Sequence, residues 1–301
     1  MRSVIAILIL GLAATAEAQF DSSVLPTDAD WYFHANFETM RTTRAGQPLY
    51  ARLQDEAFDE VREELAEEFD VDLNTEFDAF TTYGDRDGRF VAIMQGPIDA
   101  KSRQQLIAAL QKRAPATEKR SDFGTYFEVD ATEIREQDYN INTDKAYVSF
   151  AREDAVIFGT DPKYFFRALG GEASGGGRGT MLVLTANREF IQVGVNAEAM
   201  ESEGALPWNS GLLQETRQIA FVLGDTNGQL DFQLNITAND PSTTEALANV
   251  VRGLIGLQAL SSDANDEFKG LLSSLKIDND SRGLTMRLLT DPDELIRAME
   301  D

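Results

Sequence analysis

His34 is the only imidazole in the chain, and no cysteine accompanies it, so the remaining reactive inventory is carboxylate: 51 Asp and Glu against 27 Lys and Arg. The missing thiols exclude cysteine nucleophiles, disulfides and thiolate zinc sites. A lone histidine excludes multi-histidine metal centres. As a general base, His34 would need a nucleophile and an orienting group beside it, and no Gly-x-Ser-x-Gly elbow is present. His34 stands on an alternating segment, on the side of Tyr32 and Asn36 and opposite the apolar Trp31, Phe33, Ala35 and Phe37. That position predicts a solvated or partner-contacting surface residue.

The carboxylates suggest two other chemistries. Asp70-x-Asp72-x-Asn74 and Asp85-x-Asp87-Gly88 have the look of calcium loops, yet a loop opening at Asp70 needs Gly at position six and Glu at twelve. Thr75 and Thr81 stand there instead. Paired Asp or Glu can also run glycoside hydrolysis, but so many carboxylates single out no pair. A hydrolase with a cleft between two units is therefore carried as an alternative. The run Gly170 to Gly179 is no phosphate cradle, because Arg178-Gly179-Thr180 replaces the Gly-Lys-Ser/Thr of a P-loop.

The net charge of -24 and the pI of about 4.3 exclude a nucleic-acid binder, which needs cations to displace counterions. They also exclude electrostatic docking on anionic lipid. The helix expected over Leu49–Phe69 aligns Leu49, Leu53, Ala57, Val61, Leu65 and Phe69 on one stripe and covers the remainder with Asp and Glu. We read that acidic face as a solvated one. No metal or organic cofactor is expected.

Residues 1–18 read as an export signal: Arg2, an apolar run from Val4 to Ala14, then Ala16-Glu17-Ala18 as the cleavage pattern. The expected location is periplasmic or secreted, after cleavage near Ala18. The apolar run is shorter than the roughly 20 residues of a bilayer span, and no membrane span is expected in the mature chain.

The elements that must position these residues recur. Residues 31–40 match 191–200, with Asn36/Asn196, Glu38/Glu198 and Met40/Met200 identical; Gly84-Asp85-x-x-Gly88 matches Gly224-Asp225-x-x-Gly228. Asp99 lines up with Asp240, and Thr160-Asp161-Pro162 with Thr290-Asp291-Pro292. Ordered matches of this kind predict an internal duplication. The expected fold is α+β: two tandem, internally duplicated units, each a mainly antiparallel sheet with packed helices. The boundaries read as 1–18 signal peptide, 19–170 first unit, 171–179 Gly-rich linker and 180–301 second unit. Within the units, hairpins turn at Gly88 and Gly228, helices run over 100–112 and 242–260, and Asp-Pro signals start the last helix of each.

Leu25-Pro26-Thr27-Asp28-Ala29 resembles the opening strand of a group of secreted bacterial proteins of unassigned activity, whose first halves also end in a strand, a turn and a short helix like Ile157–Leu169. The resemblance implies an exported chain and no catalytic residues. The expected function is accordingly a non-catalytic, exported binding or interaction protein, with an unknown protein or an apolar small molecule as partner. A carrier of an apolar ligand is a further alternative, because the helix over 242–260 is apolar almost all round. The candidate interaction surface is Val91, Ile93 and His34. Val91 and Ile93 make apolar a strand face where the second unit has Asp231 and Gln233, so they are expected to be covered by a helix, the other unit or a partner.

Overall fold

The computed structural model describes residues 28–56, 77–132, 143–171, 179–191, 215–259, 266–281 and 283–300. Twelve strands among them form one sheet: β1 (Trp31–Asn36), β2 (Ala79–Gly84), β3 (Phe90–Gln95), β4 (Ala116–Ser121), β5 (Gly124–Asp130), β6 (Lys145–Ser149), β7 (Ala155–Gly159), β8 (Thr180–Asn187), β9 (Thr216–Thr226), β10 (Gln229–Ala238), β11 (Lys276–Asn279) and β12 (Gly283–Thr290). Their order across the sheet is β11-β12-β10-β9-β8-β1-β2-β3-β7-β6-β5-β4, and every neighbouring pair is antiparallel. Read outward from the β1–β8 seam, the first half runs β1-β2-β3-β7-β6 and the second β8-β9-β10-β12-β11, with β5 and β4 extending the first. Among the described residues seven helices accompany the strands: α1 (Phe37–Thr42), α2 (Gly46–Glu56), α3 (Ala100–Arg113), α4 (Pro162–Leu169), α5 (Pro241–Ala259), α6 (Asp266–Ser274) and α7 (Pro292–Glu300).

Local chemistry explains the recurring turns. The β9–β10 loop is Asn227-Gly228, both at positive φ (57° and 81°), as the tight antiparallel hairpin requires. In the β2–β3 loop Gly88 also sits at φ 81°, while the Asp85 carboxylate accepts the Asp87 and Arg89 backbone N–H groups. The helix starts recur in the same way. Asp99 caps α3 by accepting the Ser102 N–H, and Asp240 caps α5 by accepting the Thr243 N–H. Asp161 accepts the N–H groups of Lys163 and Tyr164 at the start of α4, and Asp291 that of Asp293 at the start of α7. Each cap answers an amide that the first helical turn leaves without a partner.

The sheet has two faces with different covers. On one face α3 packs Leu106, Ile107 and Leu110 against Phe127, Val129, Val148 and Val156, and α5 packs Leu247, Ala248 and Val251 against Ile236 and Leu284. The same face of the second half receives Met40, Ala45, Leu49 and Leu53 from the segment α1–α2, together with Leu295 of α7, over Met181, Leu223 and Leu230. On the other face α4 lays Tyr164, Phe165, Ala168 and Leu169 over Tyr32, Tyr83, Val91 and Ile157. Three groups anchor α4: Lys163 and Arg167 pair with the Asp28 carboxylate, and the Tyr164 hydroxyl donates to the Asp28 carbonyl at 2.8 Å. Burial and the nearby Asp85 and Asp28 carboxylates push the Tyr164 hydroxyl up to about 12.

Several expectations need correction. His34 is not on the surface: it is 1% exposed, on the face that α4 partly covers. Val91 and Ile93 are 0% exposed and have the cover expected of them, supplied by α4 of the first half, so these two residues offer no interaction surface. Asp231 is not wet either. It is fully buried and held by Arg287, whose Nε and Nη2 donate to its two oxygens at 2.8 and 2.7 Å. The strand that opens the second half is Thr180–Asn187, whereas residues 188–191 are helical and residues 192–200 lie outside the described residues. The signal segment 1–18, the carboxylates of 70–74, residues 57–69 of the acidic helix and most of the Gly-rich run also lie outside them.

Candidate binding cavity

Strand register sets the floor of the site. On the α4 face, β1, β2, β3 and β7 align three cross-strand rows: Tyr32-Tyr83-Val91-Gly159, then His34-Thr81-Ile93-Ile157, then Asn36-Ala79-Gln95-Ala155. Helix α4 lies over the first row, where Gly159 matters because a Cβ there would stand 3.1 Å from the Phe165 Cβ. Beyond the second row the face opens into a cavity of about 530 Å³, lined by His34, Asn36, Ala79 and Gln95 below, and by Glu38, Asp78, Gly96, Pro97, Glu153 and Asp154 around the rim. This is within the size range of small-molecule pockets, roughly 300–1,000 Å³.

His34 stands at the back of this cavity, paired across the seam with Val183 of β8. Its Nδ1 shares a 2.8 Å hydrogen bond with the Thr81 hydroxyl on β2, and the Tyr32 ring stacks beside it at 6.5 Å between centroids. Its Nε2 is buried and has no hydrogen-bond partner among the described residues. Burial lowers the imidazole from its ordinary value to about 4, because the low-dielectric surroundings disfavour the charged form. At neutral pH the ring is therefore uncharged.

The rim is acidic and only partly compensated. Asp78 is paired with Arg41 at 2.8 Å, and Arg152 clasps Asp154 through Nε and Nη2 at 2.9 and 2.7 Å. The carboxylates of Glu38, in the first turn of α1, and Glu153, in the β6–β7 turn, form no salt bridge among the described residues, and Arg103 Nη2 donates to the Glu153 carbonyl at 3.5 Å. Asn36 commits its Oδ1 to the Thr39 N–H at the start of α1, at 2.7 Å.

Among the described residues, no three His, Cys, Asp or Glu side chains gather closely enough to hold a metal ion, and no helix is long and apolar enough to cross a membrane. The Asp85-Arg86-Asp87-Gly88 segment spends its first carboxylate on its own loop and on Arg89 at 2.7 Å. The sequence flagged His34, but as a surface residue. Gln95, Glu38 and Glu153 carried no recognisable signal, because only strand register and the β6–β7 turn bring them to one opening.

No protein-family model matches the chain, and no curated protein is significantly similar to it. Among solved structures the chain is similar to TP0453 in crystal forms III, IV and I, with TM-scores of 0.44, 0.45 and 0.39 at 10%, 11% and 13% identity. These alignments cover 94%, 95% and 94% of this chain and 99%, 98% and 98% of TP0453.

Proposed function

We propose that this is an exported, non-catalytic binding protein, built from two duplicated halves, whose ligand occupies the cavity between β1, β2, β3 and the β6–β7 turn. The observation that carries this reading is the cavity at His34: an opening of ligand size whose back wall holds a buried, uncharged imidazole with one free nitrogen. In the alternative reading, hydrolysis by a carboxylate pair, the pair would fall to Glu38 and Glu153, because Arg41 and Arg152 hold the other two rim carboxylates. Export rests on the signal-like residues 1–18. Duplication is supported by the common strand order of the halves, by Gly88 and Gly228 at the same φ, and by Asp caps at four helix starts.

The test is native mass spectrometry on protein recovered from outside the cytoplasm of its own host, combined with N-terminal sequencing. A chain beginning at Gln19 and carrying a small molecule that is lost in a cavity-filling Ala79→Phe variant is the expected result. An intact chain retained in the cytosol overturns export. A bound molecule unaffected by Ala79→Phe places the ligand elsewhere.

A further inference from the structure

Apart from the cavity, we infer that copies of this chain add to one another head to tail, the β4 edge of one copy pairing with the β11 edge of the next so that the sheet continues. Charge is the first observation. Residues 100–121, which carry α3 and β4, hold six Lys or Arg and a single acidic residue, Glu118, in a chain of net charge -24. At the opposite end of the sheet, residues 266–280, which carry α6 and β11, hold four Asp or Glu against two Lys. A basic edge on so acidic a chain calls for an acidic partner, and the far edge of a second copy supplies one. Glu128, whose charge Lys119 feels, does not answer the edge, because Lys145 holds it at 2.6 Å. Lys119, Arg120 and Asp278 are exposed and form no salt bridge among the described residues.

Strand direction is the second, independent observation. Among the described residues β4 and β11 are each paired on one side only, so each has a row of backbone donors and acceptors along its outer side. The twelve strands alternate in direction from one edge to the other, so the two edges run opposite ways. A copy shifted along the sheet, without being turned over, therefore brings its β11 antiparallel to β4. The faces agree as well. One cross-strand row on the α4 side runs from Asp278 through Asn235, Tyr32 and Tyr83 to Thr117. Lys119, two residues further on, shares that face with Asp278. Setting these two opposite each other places Glu118 opposite Asn279 and Arg120 opposite Ile277. A charged edge ordinarily guards against sheet addition, but it discriminates by sign, opposing a like edge and admitting an opposite one. The contact joins two different edges and does not close on itself, so it builds open chains rather than a dimer.

The test is sedimentation velocity of the mature chain at pH 7 and low salt, at protein concentrations up to about 0.5 mM, which reaches weak affinities. The expected result is an average mass that rises with concentration and falls back in about 1 M NaCl, where the Debye length is roughly 3 Å. Lys119→Glu and Asp278→Lys should each weaken self-association at least about tenfold by setting like charges opposite each other. Mixing the two variants should restore it, because each supplies the edge that the other lacks. Both positions are exposed, and thermal unfolding checks that the variants remain folded. A second measurement uses the absence of cysteine from the chain: Glu118→Cys and Asn279→Cys variants, mixed and oxidised with diamide, should form a disulfide that joins one variant to the other. A mass independent of concentration, association that the charge reversals leave unchanged, or a mixture that fails to reassociate each overturns the inference. So does the lack of a mixed disulfide, and disulfides between like variants alone would mean that each edge pairs with its own copy.

Discussion

Beneath α4, the first half of the sheet presents Val91, Ile93 and Ile157; at the matching places in the second half stand Asp231, Gln233 and Arg287. The first set is closed by an amphipathic helix. The second set closes itself: Asp231, at 0% exposure, accepts two bonds from Arg287, one from the Thr226 hydroxyl and one from the Gln233 amide. The helix that follows β12 is then free to go elsewhere, and α7 packs Leu295 with α1 and α2 residues on the opposite face. A buried charge is tolerable when every lone pair is answered, and a helix can be dispensed with when polar side chains supply the cover. The same backbone frame thus carries a dry solution on one side of the seam and an ionic one on the other.

The largest way to break this comparison is to import the second half's residues into the first. Val91→Asp with Ile93→Gln removes two fully buried apolar side chains, worth about 3–6 kcal/mol together, and places an unanswered carboxylate beneath α4. Urea unfolding should show a fall of at least that size. Unchanged stability would mean that α4 does not seal this face.

Breaking the ionic solution from one side comes next. Arg287→Ala strands the Asp231 carboxylate and should cost about 3–5 kcal/mol. Asp231→Val with Arg287→Ile, which copies Val91 and Ile157, should cost clearly less than the single change. If the double variant is the less stable, the ionic closure contributes more than the apolar one could.

Acid sharpens the contrast at the seam. His34 is lowered from its ordinary value near 6.5 to about 4, so the unfolded chain binds more protons than the folded one between those values. Its contribution is complete above pH 6.5 and is lost as the pH falls towards 4, reaching about 3 kcal/mol at roughly 1.4 kcal/mol per unit. Relative to a His34→Leu variant, the folded chain should lose stability over that window. Parallel pH profiles for the two proteins would show that the imidazole is not protected from protonation. The smallest expected effects are at the helix starts. Asp161→Ala and Asp291→Ala each remove a cap, worth about 1 kcal/mol; thermal melts should register both, and equal losses would indicate that the two halves use the cap alike despite the different directions of α4 and α7.

What could be read from the residues was local. Hairpin glycines, Asp caps, the strands over 124–130 and 155–158 and the helices over 100–112 and 242–260 stand within a residue or two of the observed elements, since each depends on neighbours in the chain. The residues from Met181 to Leu184 also look like a strand, but their place at the centre of the sheet was harder to read. β8 reads Thr-Met-Leu-Val-Leu-Thr-Ala-Asn, an almost continuous apolar run suited to the middle of a sheet, whereas the alternation of 191–197 drew the expected opening of the second half away from it. β4 is nearly all polar and gives no strand signal. The site failed for a related reason. Tyr32, His34 and Asn36 look like a wet face because they are polar, and only the arrival of α4, more than a hundred residues later, turns that face inward.

The packing of α1 and α2 has a consequence for how the chain can be divided. These helices belong by sequence to the first half, yet Met40, Ala45 and Leu49 complete the apolar layer over Met181, Leu223 and Leu230 of the second. A cut in the Gly-rich run near residue 175 would leave an amino-terminal piece with an apolar helix pair and nothing beneath it. The carboxyl-terminal piece would have a sheet surface missing its lid. Neither piece could hide its own oily surface, but each would carry what the other lacks, together with one strand of the β1–β8 ladder. The two segments are therefore interlocked like clasped hands, and a nicked molecule should stay associated as a two-chain complex whose pieces are recovered together rather than apart.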